Sequence, residues 1–166
     1  SITPEELEEQ GKPFPAAMEE WIEWIGDGET VILTWSTTDL LVMMENCRYY
    51  YDYDRLPFME RYADLQAYCQ QRMGVGTAQQ VALNKACDML GISEEGAELH
   101  RALDDSRLSG RILKRVYEPD SFAEAVREAD QEFYDRLHFK TTVISDIDSP
   151  LVKRSELQFR CPFCNR

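Results

Sequence analysis

Long apolar runs are missing from this chain of 166 residues. The longest is Leu40-Leu41-Val42-Met43-Met44, far short of the roughly 18 consecutive apolar residues that cross a bilayer. The acidic start SITPEELEEQ lacks the basic region of a signal peptide, so the expectation is a soluble, cytoplasmic protein with no membrane partner. Positive charge is scarce too: 18 Lys and Arg stand against 31 Asp and Glu, a net charge of −13 with pI ≈ 4.6. Neutralising a phosphate backbone needs clustered cations. That excludes wholesale wrapping of nucleic acid, but leaves room for an enzyme that holds one strand end through metal ions. The five cysteines are an odd number. Cys47, Cys69 and Cys87 fall among helical apolar positions, where a reduced thiol acts as a small hydrophobe. A disulfide scaffold is therefore not expected, and only Cys161 and Cys164 are spaced as a pair.

What is present suffices for a folded core: 43% hydrophobic and 11% aromatic residues in one domain's length. Thr3-Pro4-Glu5-Glu6 reads as a helix start, with Thr3 as cap, Pro4 in the first helical position and Glu6 closing a capping box. Met18, Trp21, Ile22 and Ile25 form the apolar face of a second helix that Gly26 ends. Thr30–Trp35, after the turn Asp27-Gly28, reads as a strand. Ser36, Thr37 and Thr38 offer caps for a helix running to about Cys47, and Tyr49–Tyr53 reads as a loop or helix end. A short strand over Tyr62–Leu65 and a helix over Thr77–Leu90, ended by Gly91, are expected next. Helices over Asp104–Tyr117 and Ser121–Leu137 and a last strand over Lys140–Ser145 complete the pattern.

Two carboxylates are placed for chemistry. Asp39, in WSTTD, lies just past the end of the strand Thr30–Trp35, where open α/β sheets put ligand-binding groups. Asp105 opens a helix, where orphan N–H groups and the macrodipole stabilise negative charge, which suits a Mg²⁺ ligand. His100, shortly before it on irregular chain, is placed to deprotonate a metal-held water. The bland alternatives are Asp104 as an N-cap, His100 as an incidental loop residue and Asp39 as a dipole-complementing aspartate.

Taken together, Asp39 after VILTWS, then YADLQ, GTAQQVALNKACDMLGI and HRALDDSRLSG, resemble the DEDDh family of 3′–5′ exonucleases. The ribonuclease T-like bacterial branch, of the sporulation-inhibitor exonuclease type, is the nearest match, and the opening SITPEELEEQGKPFPAAMEEWIEWIG is similar to its segment after the third strand. The resemblance runs from residue 1 to about Tyr117. It implies an α/β, ribonuclease H-like exonuclease fold and a site holding two Mg²⁺ or Mn²⁺ ions that hydrolyses a single-stranded nucleic acid from its 3′ end. Residue by residue, Asp39 matches the second-motif aspartate, His100 the histidine base and Asp105 the last metal-binding aspartate. Asp64 falls in a strand typical of the family and is assigned a structural role.

The family's first motif, an apolar strand ending in Asp-x-Glu, is absent and belongs several tens of residues before Ser1. Asp27-Gly28-Glu29 has the right letters but precedes its strand, and Asp130-Gln131-Glu132 falls within an expected helix. The reading is therefore an N-terminally incomplete exonuclease domain over 1–139, mostly helical as given. A fragment of a longer enzyme is preferred to a degenerate domain. Such a domain exposes a sheet edge that another chain would cover. The competing function is a catalytically inactive, exonuclease-like protein-binding or regulatory module, which suits the missing motif and the acidic surface.

Residues 140–166 form an extension ending in Cys161-Pro162-Phe163-Cys164. This resembles half of a zinc ribbon, with two chance cysteines as the alternative, since Zn²⁺ needs two more ligands than these thiolates provide and His138 is the only spare histidine. Trp21, Trp24 and Trp35 read as core or helix-packing residues. Arg48–Arg55, with its interleaved tyrosines, reads as a surface loop with the means to stack on terminal bases.

Overall fold

A computed structural model describes residues 2–76, 80–93, 101–139, 148 and 152. The chain divides into two compact units, Ser1–Ala129 and Asp130–Arg166.

The first unit begins with α1 (Pro4–Gln10) and α2 (Phe14–Ile25). Thr3 accepts the Glu6 N–H at 3.2 Å. The Glu6 carboxyl is held below the usual 4.5, first by a hydrogen bond from Arg101 and then, against partial burial, by the Arg101 charge and the Thr3 backbone N–H. The capping box forms, and its acid also ties α1 to the approach of a distant helix. Gly26 ends α2 at φ +69°, a conformation that costs glycine nothing.

Three strands make one mixed sheet in the order β1-β2-β3: β1 (Ile32–Thr34), β2 (Arg61–Asp64) and β3 (Arg127–Glu128). β1 runs parallel to β2 with Ile32 opposite Tyr62 and Thr34 opposite Asp64. β3 is antiparallel to β2, Arg61 facing Glu128. α3 (Thr38–Tyr51) connects the parallel pair, as parallel strands require. It continues beyond Cys47 through the first tyrosines and stops at Asp52, whose φ of 55° is left-handed.

Behind the sheet, α4 (Leu65–Arg72), α5 (Leu83–Leu90) and α6 (Ala102–Val116) pack together. Leu65, Tyr68, Cys69, Ala86, Cys87, Leu108, Ile112 and Val116 form the buried cluster between them. Cys47, Cys69 and Cys87 are buried thiols. Burial pushes the Cys69 thiol up to about 12, with the Asp64 charge adding to it, so this cysteine serves as a small hydrophobe and not as a nucleophile.

Three expectations are corrected. The helix over Thr77–Leu90 starts only at Leu83, because the backbone of Val81 is held by side chains: its C=O accepts Gln66 Nε2 at 2.9 Å and Trp35 Nε1 at 3.1 Å, and its N–H donates to Gln70 Oε1 at 3.3 Å. The helix expected over Ser121–Leu137 is broken. α7 (Pro119–Ala125) ends where Arg127 and Glu128 pair with β2, and the Ala129 N–H donates to Glu60 C=O at 2.8 Å. Sheet pairing outweighs helical propensity there. Trp24 is 81% exposed and packs in no core, whereas Trp21 meets Phe58 edge-on at 4.7 Å.

In the second unit, α8 (Gln131–Phe139) is capped by Asp130, whose Oδ1 accepts the Phe133 N–H at 2.8 Å. Asp130 and Glu132 thus flank a helix start. The strand expected over Lys140–Ser145 and the Cys161/Cys164 pair lie outside the described residues.

Candidate functional site

Parallel strands present their C-terminal ends on one side of the sheet, and the helices that follow begin there with exposed N–H groups. Asp39 sits in the first turn of α3, directly beyond β1. Asp105 sits in the first turn of α6, its N–H donating to Arg101 C=O at 2.9 Å. Although far apart in sequence, the two carboxylates interact. Burial pushes the Asp39 carboxyl above its usual 3.8, and the Asp105 charge pushes it further the same way. A helix start by itself would lower that value, so desolvation and like-charge repulsion prevail at this position.

The repulsion carries a sign for stability. A carboxyl whose folded pKa lies above its unfolded value favours the fold while protonated, and that contribution is lost as pH rises through the folded pKa. Asp39→Asn, uncharged at every pH, is therefore expected to raise the Tm of metal-free protein at pH 7 by about 1–2 °C. The gain should shrink as pH falls through the Asp39 titration. A lowered Tm at pH 7 would show that the ionised carboxylate is a structural partner instead.

Carboxylate oxygens are the donors that hard divalent cations take. Mg²⁺ is commonly held by one or two carboxylates while keeping waters and substrate phosphate oxygens, and positive charge between Asp39 and Asp105 would remove their repulsion. Among the described residues no group of three or more His, Cys, Asp or Glu side chains is arranged around a metal position. His100, Cys161 and Cys164 lie outside the described residues.

The neighbouring acids have other duties. Asp64 caps α4, accepting the Ala67 N–H at 2.9 Å, which is the structural role expected of it. Asp64→Ala should cost about 1 kcal/mol in chemical denaturation and leave any metal response intact, and loss of that response would make Asp64 a ligand. Asp104 is not the N-cap, a position held by Arg101. It lies inside the first turn and pairs with Arg107 at 3.2 Å. Glu29 bridges to Arg61 at 3.3 Å. Arg61 opens β2, so Glu29 belongs to the end of the parallel pair opposite Asp39, and Asp27-Gly28-Glu29 does not join the site.

Tyr62 was not singled out from the sequence. Its hydroxyl lies 3.0 Å from Thr34 Oγ1, which donates to Ser36 C=O. Burial pushes its deprotonation far upward, opposed by the Thr34 hydrogen bond and reinforced by the Asp64 and Asp39 charges. Tyr62 therefore remains a neutral phenol that ties β2 to the turn leading into Asp39. The alternation in Tyr62-Ala63-Asp64 marked a strand, but not which tyrosine would face this turn.

The tyrosine-rich segment occupies the other end of α3. At 1.5 Å per residue, Tyr50 stands about 16 Å along the helix from Asp39. Among the described residues no helix is long and apolar enough to cross a membrane. No protein-family model, no curated protein and no solved structure matches the chain.

Proposed function

We propose that this chain is the greater part of a metal-dependent 3′–5′ exonuclease domain of ribonuclease H-like type, acting on the 3′ end of a single-stranded nucleic acid. The observation that supports it is the electrostatic influence of Asp105 on Asp39. These two aspartates, chosen for metal binding from their places in WSTTD and HRALDDSRLSG, interact electrostatically at the starts of two helices beside the sheet. Two aspartates serving only as dipole complements gain nothing from sharing one electrostatic field at a cost in repulsion.

In this reading Asp39 and Asp105 would hold Mg²⁺ or Mn²⁺, and such ions would supply charge stabilisation at the phosphate and an activated water. His100 would serve as the base that accepts a proton from the attacking water. The bond to the leaving 3′ oxygen breaks, and a nucleoside 5′-monophosphate is released. Asp39 and Asp105 would act by positioning the ions, and Tyr62 fixes the turn that presents Asp39. Zn²⁺ at Cys161 and Cys164 would be a separate structural site.

The test is a single-stranded oligonucleotide labelled at its 5′ end, incubated with the intact protein and Mn²⁺. Progressive shortening from the 3′ end that stops with chelator is expected. Shortening that chelator does not affect, or none at all, would reject the reading. The second reading, a catalytically inactive protein-binding module, is favoured by the exposed aromatic and acidic surface at the far end of α3.

A further inference from the structure

We propose that the tyrosine-rich end of α3, with the start of α2, docks a basic peptide segment of a partner protein whose arginine or lysine side chains lie on the tyrosine rings. The rings form one connected surface across two helices. Phe14 of α2 stacks on Tyr50 with centroids 5.4 Å apart and planes at 19°. Tyr49 meets Tyr50 edge-on at 4.8 Å, and Tyr51 stacks on Tyr53 at 5.9 Å. Tyr49 is 82% exposed, Tyr53 51% and Tyr50 47%. Contiguous exposed aromatic surface marks interaction sites, and tyrosine is enriched where partners bind.

Charge decides which partner. Glu45, Asp52 and Asp54 flank or interleave these tyrosines in sequence, against Arg48 and Arg55. Glu19 acts electrostatically on Tyr51. Arg48 sits beside Tyr49 on α3 and is held by Glu45 at 3.1 Å and Asp54 at 3.4 Å, both acids remaining largely exposed. One guanidinium is thus already held between two carboxylates at this end of α3. The chain's charge of −13 draws in a basic segment and repels a phosphate backbone. Cations over tyrosine faces add attraction that carboxylates alone lack.

The test uses fluorescence anisotropy with the intact protein and a labelled peptide of alternating arginine and glycine. A labelled single-stranded oligonucleotide is the second probe. Tyr49→Ser with Tyr50→Ser leaves every charge in place and is expected to weaken peptide binding about 10-fold, the loss of two cation–ring contacts. Glu8→Gln with Glu9→Gln, on exposed positions of α1, removes two charges elsewhere and should change binding by less than about twofold. Tyr49→Ser alone, at the most exposed ring, should weaken it about threefold and decides the matter if the double variant fails to fold. Wild-type affinity in both tyrosine variants would overturn the proposal, as would absence of peptide binding. Tyrosine-dependent binding of the oligonucleotide in its place would overturn it in favour of a nucleic-acid platform.

Discussion

Asp105→Ala is expected to lower Mn²⁺-dependent release of nucleotides from a 3′ end by about 10³-fold or more. Charge stabilisation by metal ions at a phosphoryl centre is worth several kcal/mol, and each 1.4 kcal/mol or so is a factor of ten in rate. With Asp105 gone, Asp39 is left as the one carboxylate at a position that needs charge balance. Alanine in the first turn of α6 preserves the helix, since alanine is the best helix former and Asp105 is not the cap. Protein yield and thermal stability should therefore be close to wild type, which separates a missing ligand from a misfolded chain. Asp104→Ala, one residue earlier, removes a side chain engaged with Arg107 and should leave turnover within about threefold of wild type. Equal turnover by Asp105→Ala and wild type would remove Asp105 from the chemistry.

Leu108→Ala carries the largest expected effect on stability, a loss of about 3 kcal/mol that lowers Tm by about 10 °C. Leu108 is 1% exposed and belongs to one buried cluster with Leu65, Tyr68, Cys69, Ala86 and Cys87. Cys69, Ala86 and Cys87 are small and fully buried. The elements that present them are pinned, α4 by its Asp64 cap and the segment before α5 by the hydrogen bonds to Val81. Neighbours so fixed move little into a cavity, and the cost of a cavity rises with the volume left unfilled. Against a total stability of about 5–15 kcal/mol, that is a large share. Leu103→Ala on the same helix, at a position 63% exposed, should change stability by less than about 0.5 kcal/mol. Urea denaturation of the two variants makes the comparison, and similar losses in both would mean that α6 is not the packing centre.

Local signals were legible where one physical cause dominates. Thr3-Pro4 and Gly26 punctuate α1 and α2 because caps and left-handed turns need those residues. The β-branched run before Trp35 does form the parallel strand β1, trimmed to the three residues that find a partner. α4 went unread because its buried face carries Gln66 and Gln70. Their amides look like surface groups in a sequence, yet they are bound to backbone atoms around Val81 and Gly76. The same bonds hold Val81 out of the helix expected from Thr77. The break after α7 depends on β2, more than fifty residues earlier, and no local pattern encodes that pairing.

At the site, the positions of Asp39 and Asp105 at helix starts followed from turn and capping chemistry. Their interaction did not, because it depends on how α3 and α6 are placed around the sheet. Tyr62 became visible only once β1 and β2 were in register, with Thr34 within reach of its hydroxyl.

Mn²⁺ binding to nucleic-acid-free protein tests the shared site most directly. The paramagnetic signal of free Mn²⁺ would be followed during titration of wild type, Asp39→Asn, Asp105→Asn and the double variant. The expected result is binding by wild type, weakened at least about tenfold by either single change. Little further loss is expected in the double variant, because both carboxylates serve one ion cluster. Equal Mn²⁺ binding by wild type and all three variants would contradict a metal site built on Asp39 and Asp105.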